Sequence, residues 1–406
     1  MKETRFKDTE IGRIPEDWST DKLGDIGELA MCRRIFQDET SPNGDIPFYK
    51  IGTFGKKADA FISKEKFEAY KSTYRYPQKG DILISAAGTI GRLVVFDGTP
   101  SYFQDSNIVW LAHNNRKVIN PFLHYRFQTI KWNIENTTIA RLYNNNFNNT
   151  LISFPPLSEQ TRIASALTSI DNLISSLDKL IEKKKAIKEG TMQQLLTGKK
   201  RLKGFNEPWV EKELGSVCSI FGRIGFRGYT KADLVEKHQG AITYSPSDIH
   251  NQILDNSNCD YISYEKYEES PEIKVYNGDI LFCKTASIGK CAIVMNLLEK
   301  ATINPQFVVL KDFKCNNVFL YYILAFSDFQ DRIKLITGGS TIPTMSQEKM
   351  KRLKIFLPNN EEQNQISNLL TSMDQELQSL EAKRNKYIKT KQGMMQQLLT
   401  GKIRLV

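Results

Sequence analysis

Several familiar signatures are missing from this 406-residue sequence. It has no run of about 20 apolar residues, which excludes a membrane-spanning helix of the usual kind. Met1 to Asp8 is charged and has no apolar core, so it does not read as a secretory signal. The six cysteines (Cys32, Cys218, Cys259, Cys283, Cys291, Cys315) form no CxxC pair and stand near no histidine cluster. That excludes a zinc framework and points to free thiols in a reducing cytoplasm. The four histidines (His113, His124, His238, His250) have neither nucleophile nor ligand spacing around them.

Catalytic motifs are equally scarce. The loop around Gly88 and Gly91 is not a phosphate loop, because its counterpart Gly289-Lys290 runs into Cys291 instead of Ser or Thr. Its glycines are expected to serve a tight turn with positive φ. Phe154-Pro155-Pro156-Leu157 lacks the leading Asp or Asn and the trailing aromatic of an amino-methyltransferase motif. Glu272-Ile273-Lys274 lacks the upstream acid of a nuclease motif. A self-contained methyltransferase or nuclease is therefore disfavoured.

What the sequence does contain is a repeat. MQQLLTGK occurs at Met192–Lys199 and again at Met395–Lys402, an offset of 203. Thr168-Ser169, Asp171, Gly190 and Arg201-Leu202 recur at the same offset. Both copies read as long helices. In the first, Ile163, Ala166, Ile170, Leu173, Leu177, Leu180 and Ile187 take heptad positions a and d, and Leu167, Ile174 and Ile181 take e. In the second, Ile366, Leu369, Met373, Leu380 and Tyr387 correspond, with Leu370 and Leu377 at e and Glu376 and Lys383 breaking the d row. Such stripes predict that the helices bury each other. Ser158 and Asn360 are candidate N-caps, Asn360 forming a capping box with Gln363. From Gln160 to Glu189, at about 1.5 Å per residue, the rod would be roughly 45 Å long.

The net charge of +10 sits on these helices. Residues 160–203 carry 10 basic and 4 acidic residues and residues 363–406 carry 7 and 3, while the remainder is neutral. A basic rod points to a polyanion or an acidic partner.

The expected layout is domain, helix, domain, helix, with boundaries at 1–155, 156–203, 204–357 and 358–406. Lys79-Gly80-Asp81-Ile82-Leu83-Ile84 parallels Asn277-Gly278-Asp279-Ile280-Leu281-Phe282, a Gly-Asp turn into an apolar strand. Small-residue loops follow at Ser85–Arg92 and Cys283–Lys290. Strands are expected next at Leu93–Phe96 and Cys291–Met295, then at Asn107–Leu111 and Gln306–Leu310, then helices near Pro121–Gln128 and Val318–Phe326. Each domain reads as α+β with a mostly antiparallel sheet. Residues 25–78 and 216–276 show little likeness, as expected of one scaffold carrying two different readers.

The basic residues in loop-like, glycine- and aromatic-flanked stretches are the candidate nucleic-acid contacts. They are Arg33, Arg34, Lys56, Lys57 and Arg92 in the first domain, and Arg223, Arg227, Lys284 and Lys290 in the second. Arg and Lys suit guanine edges and phosphates, and the amides of Asn144 to Asn146, Asn148 and Asn149 suit adenine.

With these features together, the chain resembles the specificity (S) subunit of type I restriction–modification systems over essentially its whole length. The resemblance rests on the duplicated domain–helix order, the FPPLSEQ run at Phe154–Gln160, the Gly-Asp-Ile-Leu strands at 80–83 and 278–281, and the twin MQQLLTGK ends. Two departures are small: the first domain lacks the Gly204-Phe205 of the second, and Glu362-Gln363 follows one extra residue. The resemblance implies two target-recognition domains on an antiparallel coiled coil, each reading half of a split site in double-stranded DNA. It implies partners, two methyltransferase subunits and restriction/translocase subunits. It implies no cofactor on this chain, S-adenosylmethionine on the methyltransferase, and ATP and Mg on the restriction subunit. A related bifunctional (type IIB-like) recognition subunit and a non-specific coiled-coil scaffold are the alternatives.

Overall fold

The computed structural model describes residues 5–133, 141–337 and 343–406. It divides into two compact units, residues 1–178 with 382–406, and residues 179–381. The expected order of elements is present, but the units cut through both long helices. Each unit holds one globular domain, the first half of the helix that follows that domain in sequence, and the second half of the other helix.

The central sheet of the first unit has the strand order Glu28–Met31, Ile108–Ala112, Ile82–Ser85, Leu93–Val95, all antiparallel. In the second unit the order is Ser219–Gly222, Phe307–Lys311, Ile280–Cys283, Cys291–Ile293, again antiparallel. A smaller sheet lies over each. In the first unit it is Ala60–Ile62, Ile46–Tyr49 and Tyr102–Phe103, the last pair parallel. In the second it is Leu234–Val235, Asp260–Ile262, Ala241–Tyr244 and Ala301–Ile303, the last pair again parallel. The dissimilar stretches therefore supply most of the small sheets and their loops.

Burial on both faces explains why the central strands are apolar throughout instead of alternating. Ile82, Ile84, Val109 and Leu111 face a core with Phe122, Ile163, Leu167, Leu398 and Leu399. Their neighbours Leu83, Ile108 and Trp110 face the other way, onto Phe48, Ile62 and Phe67. The second unit repeats this, with Ile280, Phe282, Val308 and Leu310 toward Phe319, Leu320, Ile366 and Leu370, and Leu281, Phe307 and Val309 toward Tyr244 and Ile303. The period of two along each strand assigns the two cores.

The long helices run Leu157–Leu195 and Asn360–Leu398, 39 residues each, and their ends keep the offset of 203. Three expectations are corrected here. First, Ser158 lies inside the first turn, and Pro156 O accepts the amides of Glu159 and Gln160. Second, Asn360 opens the second helix, and the cap is Asn359, whose Oδ1 accepts Glu362 N at 2.9 Å. Third, the buried stripe is narrower than three positions per heptad. Ile163, Leu167, Ile170, Leu177 and Ile181 are buried, but Leu173, Leu180 and Ile187 are 49%, 38% and 44% exposed. A seam between two helices covers only two positions per heptad, here a and e, and leaves d outside.

Antiparallel pairing shows in the ion pairs of each unit. The first unit pairs Asp171 with Lys391 at 2.7 Å and Asp178 with Arg384 at 2.6 Å. The second pairs Lys188 with Asp374, Lys184 with Glu376 at 2.7 Å, and Lys185 with Glu381 at 2.6 Å. Asp171–Lys391 and Asp374–Lys188 are the same contact made twice, with the two helices exchanging roles. In each, the carboxylate also accepts a tyrosine from the globular domain, Tyr125 at 2.9 Å and Tyr322 at 2.7 Å.

At the helix ends, Glu159 is held two-pronged by Arg404, with both contacts at 2.8 Å, and Glu362 by Arg201 at 2.7 and 2.6 Å. Both carboxylates are almost fully buried. Gln160 and Gln363 repeat as well, each donating to a proline carbonyl (Pro155 or Pro358) and accepting a backbone amide (Ile119 or Asn316).

Candidate nucleic-acid interface

In the first unit, three loops leave one end of the central sheet. They are Cys32–Phe36 after Met31, Ala86–Arg92 after Ser85, and Gln104–Asn107 before Ile108. The register Cys283↔Phe307, Phe282↔Cys291 and Gly222↔Val308 puts the corresponding loops of the second unit at the matching end.

The loop after the Gly-Asp-Ile-Leu strand shares four backbone hydrogen bonds between the two units. Ser85 N bonds Arg92 O and Cys283 N bonds Lys290 O, at 2.9 and 2.8 Å. Gly91 N bonds Ser85 O and Gly289 N bonds Cys283 O, at 2.9 and 3.0 Å. Ala86 N and Lys284 N reach Asn107 O and Gln306 O, each at 2.8 Å. Leu142 N and Met345 N close the far side onto Ala86 O and Lys284 O, at 2.9 and 2.8 Å. Gly91 and Gly289 adopt φ of +81° and +90°, as the turn requires. At Gly289 a Cβ would also meet Gln330 Oε1 at 2.1 Å. One rigid frame thus carries two different sets of side chains.

The structure gathers the first five basic candidates at this end. Arg33 is exposed and lies over the Tyr74 ring, 5.4 Å from its centroid. Arg34 meets Asp105 at 2.9 Å yet keeps 60% of its side chain in solvent. Lys56 and Lys57 are exposed and make no side-chain polar contact among the described residues. Arg92 is half-buried and donates to Phe54 O at 2.9 Å, tying the Lys56 loop to the turn frame.

The second set is less uniform. Lys284 is half-buried, and its ammonium makes no polar contact among the described residues. Lys290 donates to Pro246 O, Arg227 pairs with Glu272 at 3.5 Å, and both are half-buried. Arg223 departs from the expectation of a DNA-facing cation. It is 7% exposed. Its guanidinium donates to Ile303 O at 3.1 Å and Arg227 O at 3.2 Å, and it lies over Tyr229. Burial lowers its pKa from the usual arginine value. Two carbonyls and the Thr302 hydroxyl, at 3.4 Å, satisfy it, so it braces the loop.

The asparagine run divides: Asn144, Asn145 and Asn149 are exposed, and Asn146 and Asn148 are half-buried. Asn144–Asn148 forms a short helix, Asn149 accepts Lys22 at 3.1 Å, and Asn148 packs on Gly24. Sequence reasoning misses Asn107 and Gln306, the matched amides at the sheet end. Their shared place one residue before the third strand is the signal that could have found them.

Among the described residues, no group of three or more His, Cys, Asp or Glu could hold a metal ion. No described helix is long and apolar enough to cross a membrane.

Two matched domains, each ending in a loop cluster and fastened to a reciprocal helix pair, define a bipartite recognition scaffold. The family model for the type I restriction modification DNA specificity domain matches twice, over residues 15–189 and 206–390. The chain belongs to that family and, with two copies of the domain, is a type I specificity subunit, the non-catalytic chain of such systems.

Among its relatives is a type I restriction enzyme specificity subunit of Haemophilus influenzae, so named provisionally, 56% identical over 157 residues. That match spans 38% of this chain and 41% of that protein. The specificity subunit of the type I restriction enzyme MjaVIII of Methanocaldococcus jannaschii is 26% identical, covering 100% of this chain and 97% of that one. The crystal structure of the type I S subunit from M. genitalium has the same fold, with a TM-score of 0.62 at 15% identity over 94% of this chain and 96% of that chain.

Proposed function

We propose that each globular domain reads one half of a split site in double-stranded DNA, and that the paired helices set the unread spacer between the halves. The observation that carries this reading is the turn frame whose four backbone hydrogen bonds recur in both units under different side chains. It is what two readers with separate targets on one scaffold require. At about 1.5 Å per residue, each 39-residue helix extends about 58 Å, longer than the roughly 34 Å between half-sites one helical turn apart. Exposed Arg33, Arg34, Lys56 and Lys57, with Lys284, supply phosphate and guanine contacts, and phosphate contacts carry the sequence-independent part of the affinity.

The partners in this reading are two methyltransferase subunits docked on the helix pair and the restriction/translocase subunits, in the cytoplasm. S-adenosylmethionine belongs to the methyltransferase, ATP and Mg to the restriction subunit, and no cofactor to this chain.

The test is a methylome. The chain is expressed with its methyltransferase in a methylation-free host and modified bases are read by long-read sequencing. A two-part motif with a constant spacer is expected. Inserting equal lengths into both helices should change the spacer and keep the letters. A motif that kept its spacer and changed its letters would refute the ruler, and absence of new methylation from a stable complex would refute sequence reading.

A further inference from the structure

Phe36 takes no part in the packing described above. Its side chain is 59% exposed, whereas its neighbour Ile35 is buried. The backbone around it is nonetheless held firmly. Phe36 N donates to Glu39 Oε2 at 2.7 Å, Glu39 N returns to Phe36 O at 3.1 Å, and Glu39 is paired with Lys66. Lys66 lies in the helix Lys64–Thr73, which is anchored by the buried Phe67. Three residues before Phe36, Arg33 lies over Tyr74, and between them Arg34 is fixed to Asp105.

A pinned loop therefore presents an apolar ring beside two oriented guanidiniums, at the end of the sheet where the first unit gathers its exposed cations. The ordering cost of the loop backbone that carries that ring is largely met before any ligand arrives. Guanidiniums suit the O6 and N7 acceptors of guanine in the major groove. The apolar feature available to a ring on the same base edges is the thymine 5-methyl group. We infer that Phe36 is a specificity-determining residue of the first half-site, packing against the 5-methyl of a thymine. This rests on the DNA-recognition reading above.

The test uses the chain in complex with its methyltransferase and duplexes carrying the motif found in the wild-type methylome. Each thymine of both half-sites is replaced in turn by deoxyuridine, which removes only the methyl group. The wild-type complex should lose about fourfold in affinity at one position of one half-site, the value of one buried methyl. Phe36→Ala should bind thymine and uracil equally at that position and relax the methylome there, leaving the spacer and the other half-site unchanged. Phe36→Leu, which keeps an apolar contact, should retain the discrimination. An unchanged thymine–uracil ratio in Phe36→Ala, or a wild-type complex indifferent to every replacement, overturns the assignment while the two-part motif stands. A wild-type complex that marks no two-part motif removes the functional reading and this one with it.

Discussion

Arg404 offers the sharpest test of how each unit is fastened. Its guanidinium holds Glu159 with two bonds of 2.8 Å and Asp17 with two more, at 2.9 and 2.6 Å. The Glu159 side chain is 2% exposed, that of Asp17 52%. These partners have different worth. The exposed Asp17 contact contributes at most about 1 kcal/mol, although Arg404 does hold that carboxyl below its usual pKa. Truncation to Ala would leave Glu159 as a buried carboxylate with one remaining donor, Leu405 N at 3.1 Å. Breaking a buried pair in this way costs about 3–5 kcal/mol.

Because the chain has two units, a single unfolding midpoint is ambiguous, and amide hydrogen exchange resolved by segment is the better assay. Arg404→Ala should accelerate exchange in residues 159–178 and 391–405 by roughly a thousandfold, the equivalent of about 4 kcal/mol. Arg201→Ala should do the same around Glu362, so each unit serves as the other's control. Adding Glu159→Gln to Arg404→Ala removes the stranded charge and should recover more than half of the loss. An acceleration under tenfold in either single variant, or no recovery in the double, would refute the argument.

Two further outcomes follow from the geometry. Lys56→Ala with Lys57→Ala should lower the salt slope of DNA binding by about 2, and Lys284→Ala by about 1, one unit for each phosphate no longer neutralised. Binding titrations across salt concentrations measure this, with Arg223→Met expected to lower stability and leave the slope alone. His124 should give the first unit an acid sensitivity: burial, then the Lys391 ammonium, lowers its pKa from 6.5. The unfolded chain then binds a proton that the folded chain refuses, so this stability is present above pH 6.5 and is lost as pH falls below it. The loss reaches up to about 1.4 kcal/mol per pH unit, and His124→Gln should remove that component of the pH dependence of unfolding.

Much of the architecture was legible because it is encoded twice. Matching strands, turns and helices reinforced one another, and the expected short strands and helices differ from the observed ones by one or two residues at their ends, whereas the first long helix runs six residues past the expected Glu189. The candidate interface was legible only as a set of loops. Arg33, Lys56 and Lys57 are presented, whereas Arg223 is consumed in part by a carbonyl 80 residues away in sequence, that of Ile303. Phe36 escapes a reading of the sequence because nothing local distinguishes an exposed phenylalanine from a core one.

The sequence by itself determined the repeat and the class of the repeated strands, turns and helices, since these follow from local periodicity and turn chemistry; which face of an all-apolar central strand meets which core came from the tertiary structure. The family match respects the same linear order, each copy running from a domain into the helix that follows it. Only the tertiary structure decided that a compact unit takes half of its helical part from the opposite copy. Seam position and ion-pair choice depend on which residues of a distant helix arrive opposite. Glu159 has no partner until Arg404, 245 residues away, is brought to it.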